Sequence, residues 1–440
     1  MTKLADRPLS TLAGFASRLR FEDLPQPVVD RACLVLLDTV AAICAGQGSS
    51  EIGALRAWQK STGDGPALTA LVLGSAGVVH ELDEGFAAAR GHPAIHLIPA
   101  ALAEAAARKS SGRDLVTAIV AGYEVAARVG GAIKLRAGTH PHGTWGGLGA
   151  AAAVGRLRSL SACTMTSALE LAACMPVATC YQALRDGSPV RHVWAGLANL
   201  TGSMAAALAG DAFPAPATGA MESLSGIIGS GFDPDIATAG LGNRWDILHG
   251  YFKVHACCRH GHASLDAIDI ALAGARPAPD GIAAVRVRTY ADAVQAMTPT
   301  IPVTTVLAAK FSMPLMVALR LVRGAIDPAL FSPKIALDPE LIAFARKVAL
   351  AEDPDLTQRG RERRGARVEI VLTDGRVLRG EVEHSRGDPA LPFGREDILA
   401  KYRRLALGVL DAERSGALER QILALPTLGD CSPLLLALAA

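Results

Sequence analysis

Gly146-Gly-Leu-Gly-Ala-Ala-Ala-Ala-Val-Gly155 consists almost entirely of small apolar residues. Its pattern predicts a helix over 146–157. Glycine inside a helix costs about 1 kcal/mol relative to alanine, so such a helix forms where close packing compensates. Small side chains let neighbouring helix axes approach closely. The segment therefore predicts a buried central helix in a compact, mainly α fold.

The same helical periodicity extends through most of the first 265 residues. Apolar residues recur at intervals of three and four in the segments 28–40, 99–107, 114–129 and 195–208. Helical patterns return near the C-terminus, at 395–407 and 416–425. We therefore predict one large all-α domain over residues 1–275, completed by C-terminal helices within 395–440.

The pattern changes after about residue 275. Residues 282–290 alternate apolar and polar side chains, as a strand does. Residues 367–382 alternate on both sides of Asp374-Gly375, a dipeptide typical of a tight β-hairpin turn. Between these strands, helical stretches are predicted at 308–322 and 339–348. Together these elements predict a smaller α+β domain over residues 276–394.

Composition limits the class of protein. At 440 residues the chain is longer than one hydrophobic core usually supports, which favours two domains. A net charge of +2 and an aromatic content of only 4% argue against nucleic acid as a partner. The sequence has no uninterrupted run of about 18 apolar residues, so no membrane span is predicted. No signal peptide pattern is visible, and cysteines without C-x-x-C spacing indicate a reducing, cytoplasmic location.

Groups that can carry a proton or bind an anion concentrate in four segments, each just before an apolar helical pattern. They are 80–96, 139–147, 185–196 and 251–262, the last being Tyr-Phe-Lys-Val-His-Ala-Cys-Cys-Arg-His-Gly-His. Cations and histidines at converging helix N-termini would form a pocket for an anion. The alternatives are a solvated acidic loop in the first segment, an N-cap at Thr144, a surface position for Arg191 and a capped helix start at His262.

A zinc site is another interpretation of the fourth segment. Possible ligand atoms are carried by Cys257, Cys258, His260 and His262. Adjacent cysteines followed by His-x-His lack the spacing of known structural zinc sites. We therefore predict no metal site and assign anion binding in this segment to Lys253 and Arg259.

At these positions the sequence resembles the MmgE/PrpD family. The likeness runs through nearly the whole chain and is carried by Gly91-His92-Pro93, His140-Pro-x-Gly-Thr-x-Gly146, Gly187-Ser-x-x-Arg191, Lys253-x-x-x-Cys-Cys-Arg259-x-x-His262 and Ala309-Lys310-Phe311-Ser312. The resemblance implies a large all-α domain with a smaller α+β lid, assembled as a homodimer. It also implies an enzyme that uses no metal or organic cofactor. Such enzymes move a proton next to a carboxylate on a small di- or tricarboxylate.

This chemistry needs a base, an acid, and cations that hold carboxylates and stabilise developing negative charge. The predicted catalytic residues are His92, His140, Glu81, Asp83 and Lys253. The predicted substrate-binding residues are Arg191, Arg259, Thr144, Ser188, His142 and His262. His92 and His140 are the candidate base and acid, in either order, and Glu81 or Asp83 would orient or assist them.

The sequence departs from the family pattern at several positions. Glu81-Leu-Asp83-Glu84 stands where many members have Asp-Phe-Asp-Asp, and Gly85 replaces a hydroxyl residue of some members. Arg191 replaces an expected lysine and suits substrate binding rather than proton transfer. Cys258 stands where the decarboxylases have histidine. We therefore expect a hydro-lyase resembling 2-methylcitrate dehydratase. The alternatives are epimerisation of an iminodisuccinate-like substrate, cis-aconitate-type decarboxylation and an inactive binding scaffold.

Overall fold

The computed structural model describes residues 8–298, 303–332, 334–360 and 363–438. The fold is mainly α, as predicted. The first part of the chain forms α1 (Pro8–Arg18), α2 (Gln26–Gly46), α3 (Ser50–Thr62), α4 (Pro66–Gly77), α5 (Ile98–Arg108), α6 (Gly112–Ala132), β1 (Ile133–Leu135), α7 (Gly146–Leu157), α8 (Ala162–Ala173), α9 (Tyr181–Arg185), α10 (Val190–Leu208), α11 (Ala217–Glu222), β2 (Gly229–Phe232) and α12 (Pro234–Thr238). The second part forms α13 (His262–Leu272), β3 (Ile282–Thr289), α14 (Ala291–Ala296), α15 (Val306–Lys310), α16 (Met313–Arg323), α17 (Pro339–Ala345), β4 (Val348–Glu352), α18 (Pro354–Gln358), β5 (Ala366–Leu372), β6 (Val377–Val382), α19 (Arg395–Ala406), α20 (Ala412–Leu423) and α21 (Ser432–Leu438).

Helix α7 packs against both α6 and α10 in the helical body. A Cβ on Gly202 of α10 would lie 2.4 Å from the carbonyl oxygen of Gly147. A Cβ on Gly149 would lie 2.7 Å from the Cβ of Ala126 in α6. Larger side chains at these crossings would separate the helices, because protein interiors are close-packed. The predicted buried helix with small contact faces is confirmed.

Helix α6 is long and apolar enough to cross a membrane by length and composition. In this fold, however, 94% of its most apolar window is buried inside the protein. Helices α5 and α7 pack against α6. The buried, central position of α6 accounts for its apolar character.

The second part of the chain contains a four-stranded sheet in the order β4-β3-β5-β6. β3 pairs parallel to β4 and antiparallel to β5, and β5 and β6 form the predicted hairpin. Helix α13 packs so closely on β6 that a Cβ on Gly380 would lie 2.0 Å from the carbonyl oxygen of Ala267. α13 thus precedes residue 275 but packs on the sheet, and the domain division at that residue stays a prediction.

Two helical predictions in this part were inaccurate. The helix predicted over 339–348 ends at Ala345, and Val348 begins β4. The sequence of β4 suits either structure locally, and parallel pairing with β3 decides between them. The helix predicted over 308–322 is divided into α15 and α16, because the Ser312 hydroxyl accepts from the backbone N–H of Leu315 and starts a new helix.

The C-terminal helices pack back on the first part of the chain. Lys401 Nζ of α19 donates to Asp38 Oδ1 of α2 and to the carbonyl oxygen of Leu82, both at 2.6 Å. Lys401 and Asp38 are buried. This ion pair therefore supports the loop that leads to Asp83.

Replacing Lys401 with methionine is expected to lower the free energy of unfolding by about 3–5 kcal/mol, because Asp38 would remain as a buried charge without its cation. Urea denaturation measures this loss. Adding Asp38→Asn should recover most of it, since the uncompensated charge is then removed. A double variant as unstable as Lys401→Met alone would contradict this account of the pair.

Candidate active site

A buried ion cluster forms where the first and fourth polar segments meet. Lys253 Nζ lies 3.2 Å from Glu81 Oε2 and 3.3 Å from Asp83 Oδ1. Both carboxylates lie in the loop after α4, where Glu81 has a left-handed φ of +56°. That conformation costs a non-glycine residue on the order of 1–3 kcal/mol, and such strain clusters at functional sites. The backbone thus makes this loop a candidate for function.

The charges in the cluster hold one another ionised. Burial acts to raise the pKa of Asp83, but His92 and Lys253 outweigh it and hold this pKa well below its usual range. Burial acts to lower the pKa of Lys253, but Asp83 and Glu81 outweigh it and raise this pKa. Lys253 is therefore a cation at neutral pH, suited to holding negative charge rather than to accepting a proton.

Arg191 brings the third segment to the same cluster from the first turn of α10. One terminal nitrogen contacts the Glu81 carboxylate and lies 3.0 Å from His142 Nε2, and the other donates to Val78 O at 2.9 Å. The Nε–H is buried and has no acceptor among the residues that the structure describes. A buried unpaired donor is costly, so this N–H is a candidate contact for a substrate carboxylate.

Histidine rings from the first and second segments stack beside these charges. The His142 ring stacks with that of His92 and that of His140, at centroid distances of 5.1 and 4.8 Å. Arg191 only donates, so His142 Nε2 accepts from it. The Nδ1–H of His142 then donates to His96 Nε2 at 2.7 Å. These two hydrogen bonds define the tautomer of His142 and hold its ring in the stack.

One hydrogen bond of His92 defines its tautomer. Its Nδ1 donates to the carbonyl oxygen of Glu84 at 2.8 Å, and Asp83 Oδ2 lies 3.0 Å from the same nitrogen as an ion-pair contact. Nδ1 therefore carries the hydrogen, and Nε2 is the nitrogen that can accept a proton. The His92 side chain is 12% exposed, while that of Asp83 is almost fully buried. A buried carboxylate that orients a histidine in this way prepares the other ring nitrogen as a general base.

His140 has the opposite tautomer. Its Nδ1 accepts from the backbone N–H of His142 at 3.1 Å, so Nε2 carries the hydrogen. Burial, followed by the charge of Arg191, lowers the pKa of His140 well below its usual value. This ring is therefore neutral at pH 7 and can donate a hydrogen bond from Nε2.

Arg259 and His262 lie in the fourth segment, just before and at the start of α13. Arg259 contacts the carboxylate of Asp388, and its other terminal nitrogen lies 3.1 Å from His262 Nδ1. The guanidinium lies 4.6 Å from the ring centroid of Tyr251. The Nε–H of Arg259 is buried without an acceptor in the described part of the chain. Like Arg191, this residue holds a carboxylate of the protein and keeps one donor for a ligand.

Thr144 and Ser188 are the predicted substrate contacts with least support. The Thr144 hydroxyl donates to Pro141 O at 2.5 Å. Helix α7 begins without a side-chain N-cap, so the alternative prediction that Thr144 caps it is wrong. Ser188 is half-buried, and its hydroxyl makes no hydrogen bond to a described residue. The binding roles of both stay predictions.

One group of side chains could hold a metal ion. Ligand atoms of Asp83, His92 and His142 all lie within 4.8 Å of one another. Lys253 Nζ, however, lies 3.3 Å from Asp83, and Arg191 lies 3.0 Å from His142. Two fixed cations in direct contact with these ligands repel a third, so the electrostatics oppose a metal site here.

The sequence prediction missed residues that surround the cluster, namely His96, Tyr251, Arg364 and Asp388. The first two lie inside the polar segments, where a search for buried hydrogen-bonding groups could have found them. Arg364 and Asp388 lie in the second part of the chain without any local pattern that marks them. Their proximity to the cluster results from the chain's tertiary structure.

Comparison with protein families agrees with this arrangement. The family model of the MmgE/PrpD N-terminal domain matches residues 10–235, and the model of the MmgE/PrpD C-terminal domain matches residues 255–425. The chain belongs to the MmgE/PrpD family. The resemblance stated from the sequence motifs is thereby confirmed.

Curated MmgE/PrpD relatives are similar over nearly their whole length. A cis-aconitate decarboxylase from Aspergillus terreus is 28% identical in an alignment 473 positions long, gaps included, that covers 97% of this chain and 94% of the relative. A cis-aconitate decarboxylase-like protein from Aspergillus oryzae is 28% identical in an alignment 478 positions long, gaps included, that covers 96% of this chain and 95% of the relative. These similarities support a lyase as the general class of this MmgE/PrpD protein.

Proposed function

We propose that this protein is a cofactor-independent lyase that removes the proton next to a carboxylate on a small di- or tricarboxylate, with loss of water. The observation that carries the proposal is the Asp83–His92 pair. Nδ1 of His92 is held at 3.0 Å from Asp83 Oδ2, so Nε2 is prepared as the base. The hydro-lyase outcome and the absence of a cofactor are the expectations made from the sequence.

The surrounding charges suit an anionic substrate. Proton removal next to a carboxylate places negative charge on that carboxylate, and preorganised cations and donors stabilise it. Lys253 supplies a buried cation, and Arg191 and Arg259 supply the buried Nε–H groups that lack acceptors among the described residues. These groups would hold the substrate's carboxylates against His92.

In the proposed dehydration, His92 Nε2 takes the proton and the C–H electron pair forms the new C=C bond. The C–O bond breaks, and the departing hydroxyl takes the proton that His92 Nε2 has accepted and leaves as water. His140, whose Nε2 carries hydrogen, would donate a hydrogen bond to the departing oxygen. The two candidate histidines thereby receive different roles, with His92 as base and His140 as donor.

Decarboxylation is the second candidate, because the curated relatives are named for it. Cys258 stands where the resemblance places a histidine of the decarboxylases. Burial raises the pKa of Cys258 to about 11, so its thiol stays protonated at neutral pH and does not replace an imidazole. This difference favours dehydration. Epimerisation begins with the same proton removal, and an inactive scaffold would have no need for the oriented His92.

The test is incubation in D₂O with citrate-like hydroxytricarboxylates, cis-aconitate and aspartate-derived iminodicarboxylates, followed by NMR. We expect deuterium next to a carboxylate together with alkene signals and loss of water. Release of carbon dioxide would establish the decarboxylase instead, and inverted stereochemistry the epimerase. If none of the compounds exchanges or binds, the scaffold alternative is correct. The homodimer and the cytoplasmic location remain predictions from the sequence.

A further inference from the structure

Tyr251 is fixed against the loop that carries Asp83. Its backbone N–H donates to Gly85 O at 2.7 Å, and the N–H of Gly85 donates to Tyr251 O at 3.0 Å. The phenol ring covers Gly85 so closely that a Cβ at residue 85 would lie 2.4 Å from both Cζ and the hydroxyl oxygen of Tyr251. No real side chain tolerates that distance. The Tyr251 hydroxyl therefore occupies the space that a side chain at position 85 would take.

The ring lies near the proposed base and near two cations. Its plane is nearly perpendicular to that of His92, at a centroid distance of 6.3 Å. The guanidinium groups of Arg259 and Arg364 lie 4.6 and 5.6 Å from the ring centroid. Tyr251 is buried. The phenol is thus enclosed in the same buried region as His92 and the guanidinium groups of Arg259 and Arg364.

The phenol keeps its proton in this environment. Burial is the largest cause that raises the pKa of Tyr251, although Arg364, Lys253 and Arg259 oppose it. Arg364 makes a side-chain hydrogen bond with Tyr251. A guanidinium only donates, so the phenol oxygen is the acceptor in that bond. The hydrogen of the Tyr251 hydroxyl then remains for a second partner.

We propose that Tyr251 is a further catalytic residue, whose hydroxyl donates a hydrogen bond to the substrate carboxylate that gains negative charge as His92 removes the neighbouring proton. The Tyr251 proton stays on its oxygen throughout, so the balance of the dehydration step is unchanged. This role rests on the proposed function. Gly85 stands where some family members have a hydroxyl residue, and in this chain the Tyr251 hydroxyl would take the place of that group.

The first test is Tyr251→Phe, which removes the hydroxyl and keeps the ring. We expect kcat for dehydration to fall about 100-fold, as for the loss of one oxyanion donor, with KM within a few-fold of the wild type. The matched control is Tyr402→Phe, because the Tyr402 hydroxyl is also buried but donates to Ser415 O in the C-terminal helices. This control should keep the wild-type kcat.

The second test moves the hydroxyl from residue 251 to residue 85. Tyr251→Ala opens the space over Gly85, and Gly85→Ser in that background places a hydroxyl there. We expect the double variant to recover part of the kcat lost in Tyr251→Ala. A purely structural role for Tyr251 predicts no such recovery.

The outcomes separate the two proposals. If the wild type turns over a polycarboxylate and Tyr251→Phe has the same kcat, the role of Tyr251 is wrong and the proposed function stands. If the wild type exchanges no proton on any of the tested compounds, the proposed function fails, and the role of Tyr251 fails with it.

Discussion

Lys253→Met is expected to lower the free energy of unfolding by about 3–5 kcal/mol and to abolish turnover. Methionine keeps the length of the side chain but removes the ammonium that Glu81 and Asp83 share at 3.2 and 3.3 Å. Two buried carboxylates would then lose the cation that they share, and Glu81 would keep Arg191 as its cationic partner. Removing one partner of a buried ion pair is among the most destabilising changes known for single residues. Urea denaturation and the D₂O exchange assay measure the two effects.

The destabilisation should depend on pH in a defined direction. Burial acts to raise the pKa of Asp83, and Lys253 is one of the groups that hold it down. Without Lys253 this pKa rises in the folded state, so the folded variant takes up a proton more readily than the folded wild type. Stability of the variant therefore improves relative to the wild type as the pH falls. The difference in unfolding free energy should be smaller at pH 5 than at pH 8.

A matched control is Lys60→Met in α3, where the lysine is exposed and pairs with no carboxylate in the described structure. A change of less than about 0.5 kcal/mol is expected there. A loss below 1 kcal/mol for Lys253→Met, or a larger difference at pH 5 than at pH 8, would contradict the shared-cation account.

Local sequence patterns predicted the fold where local and tertiary preferences agree. Helix α7 has the predicted bounds of Gly146–Leu157, and the hairpin turns at the predicted Asp374-Gly375. β4 was not predicted, and the helix predicted over 339–348 ran into its first residue, because Val348–Glu352 acquires its strand pairing only from β3, about sixty residues earlier in the chain. Such long-range pairing leaves no periodic signal in a five-residue segment.

The candidate site was predictable to a similar degree. Each polar segment does lie at a helix start, and the cluster contains predicted residues from all four. The pairings were not predictable, because they depend on side-chain directions across distant segments. Arg191 illustrates this. From the sequence it was predicted to bind a substrate anion, whereas in the structure it contacts Glu81, and only its Nε–H has no acceptor among the described residues. Tyr251 was missed because its position depends on the glycine at 85.

His92→Ala should reduce α-proton exchange by roughly 10²- to 10⁴-fold, the usual contribution of a general base. The side chain is partly exposed and makes one hydrogen bond, from Nδ1 to Glu84 O, so the free energy of unfolding should change by only about 1 kcal/mol. Free imidazole added to the variant should restore part of the exchange, since the truncated side chain leaves room for a base next to Asp83. His249→Ala, at an exposed histidine, is the matched control and should exchange as the wild type does.

This experiment also separates the base from the rest of the cluster. Rescue by imidazole requires that Lys253 and Arg191 still hold the substrate and that Asp83 still lies beside the base, and a general disruption of the site would not be rescued. Asp83→Asn should not respond to imidazole, because the native ring is present but loses the carboxylate that orients it. Normal exchange in His92→Ala with a large loss of stability would instead make His92 a structural residue, and the assignment of the base would pass to another member of the histidine stack.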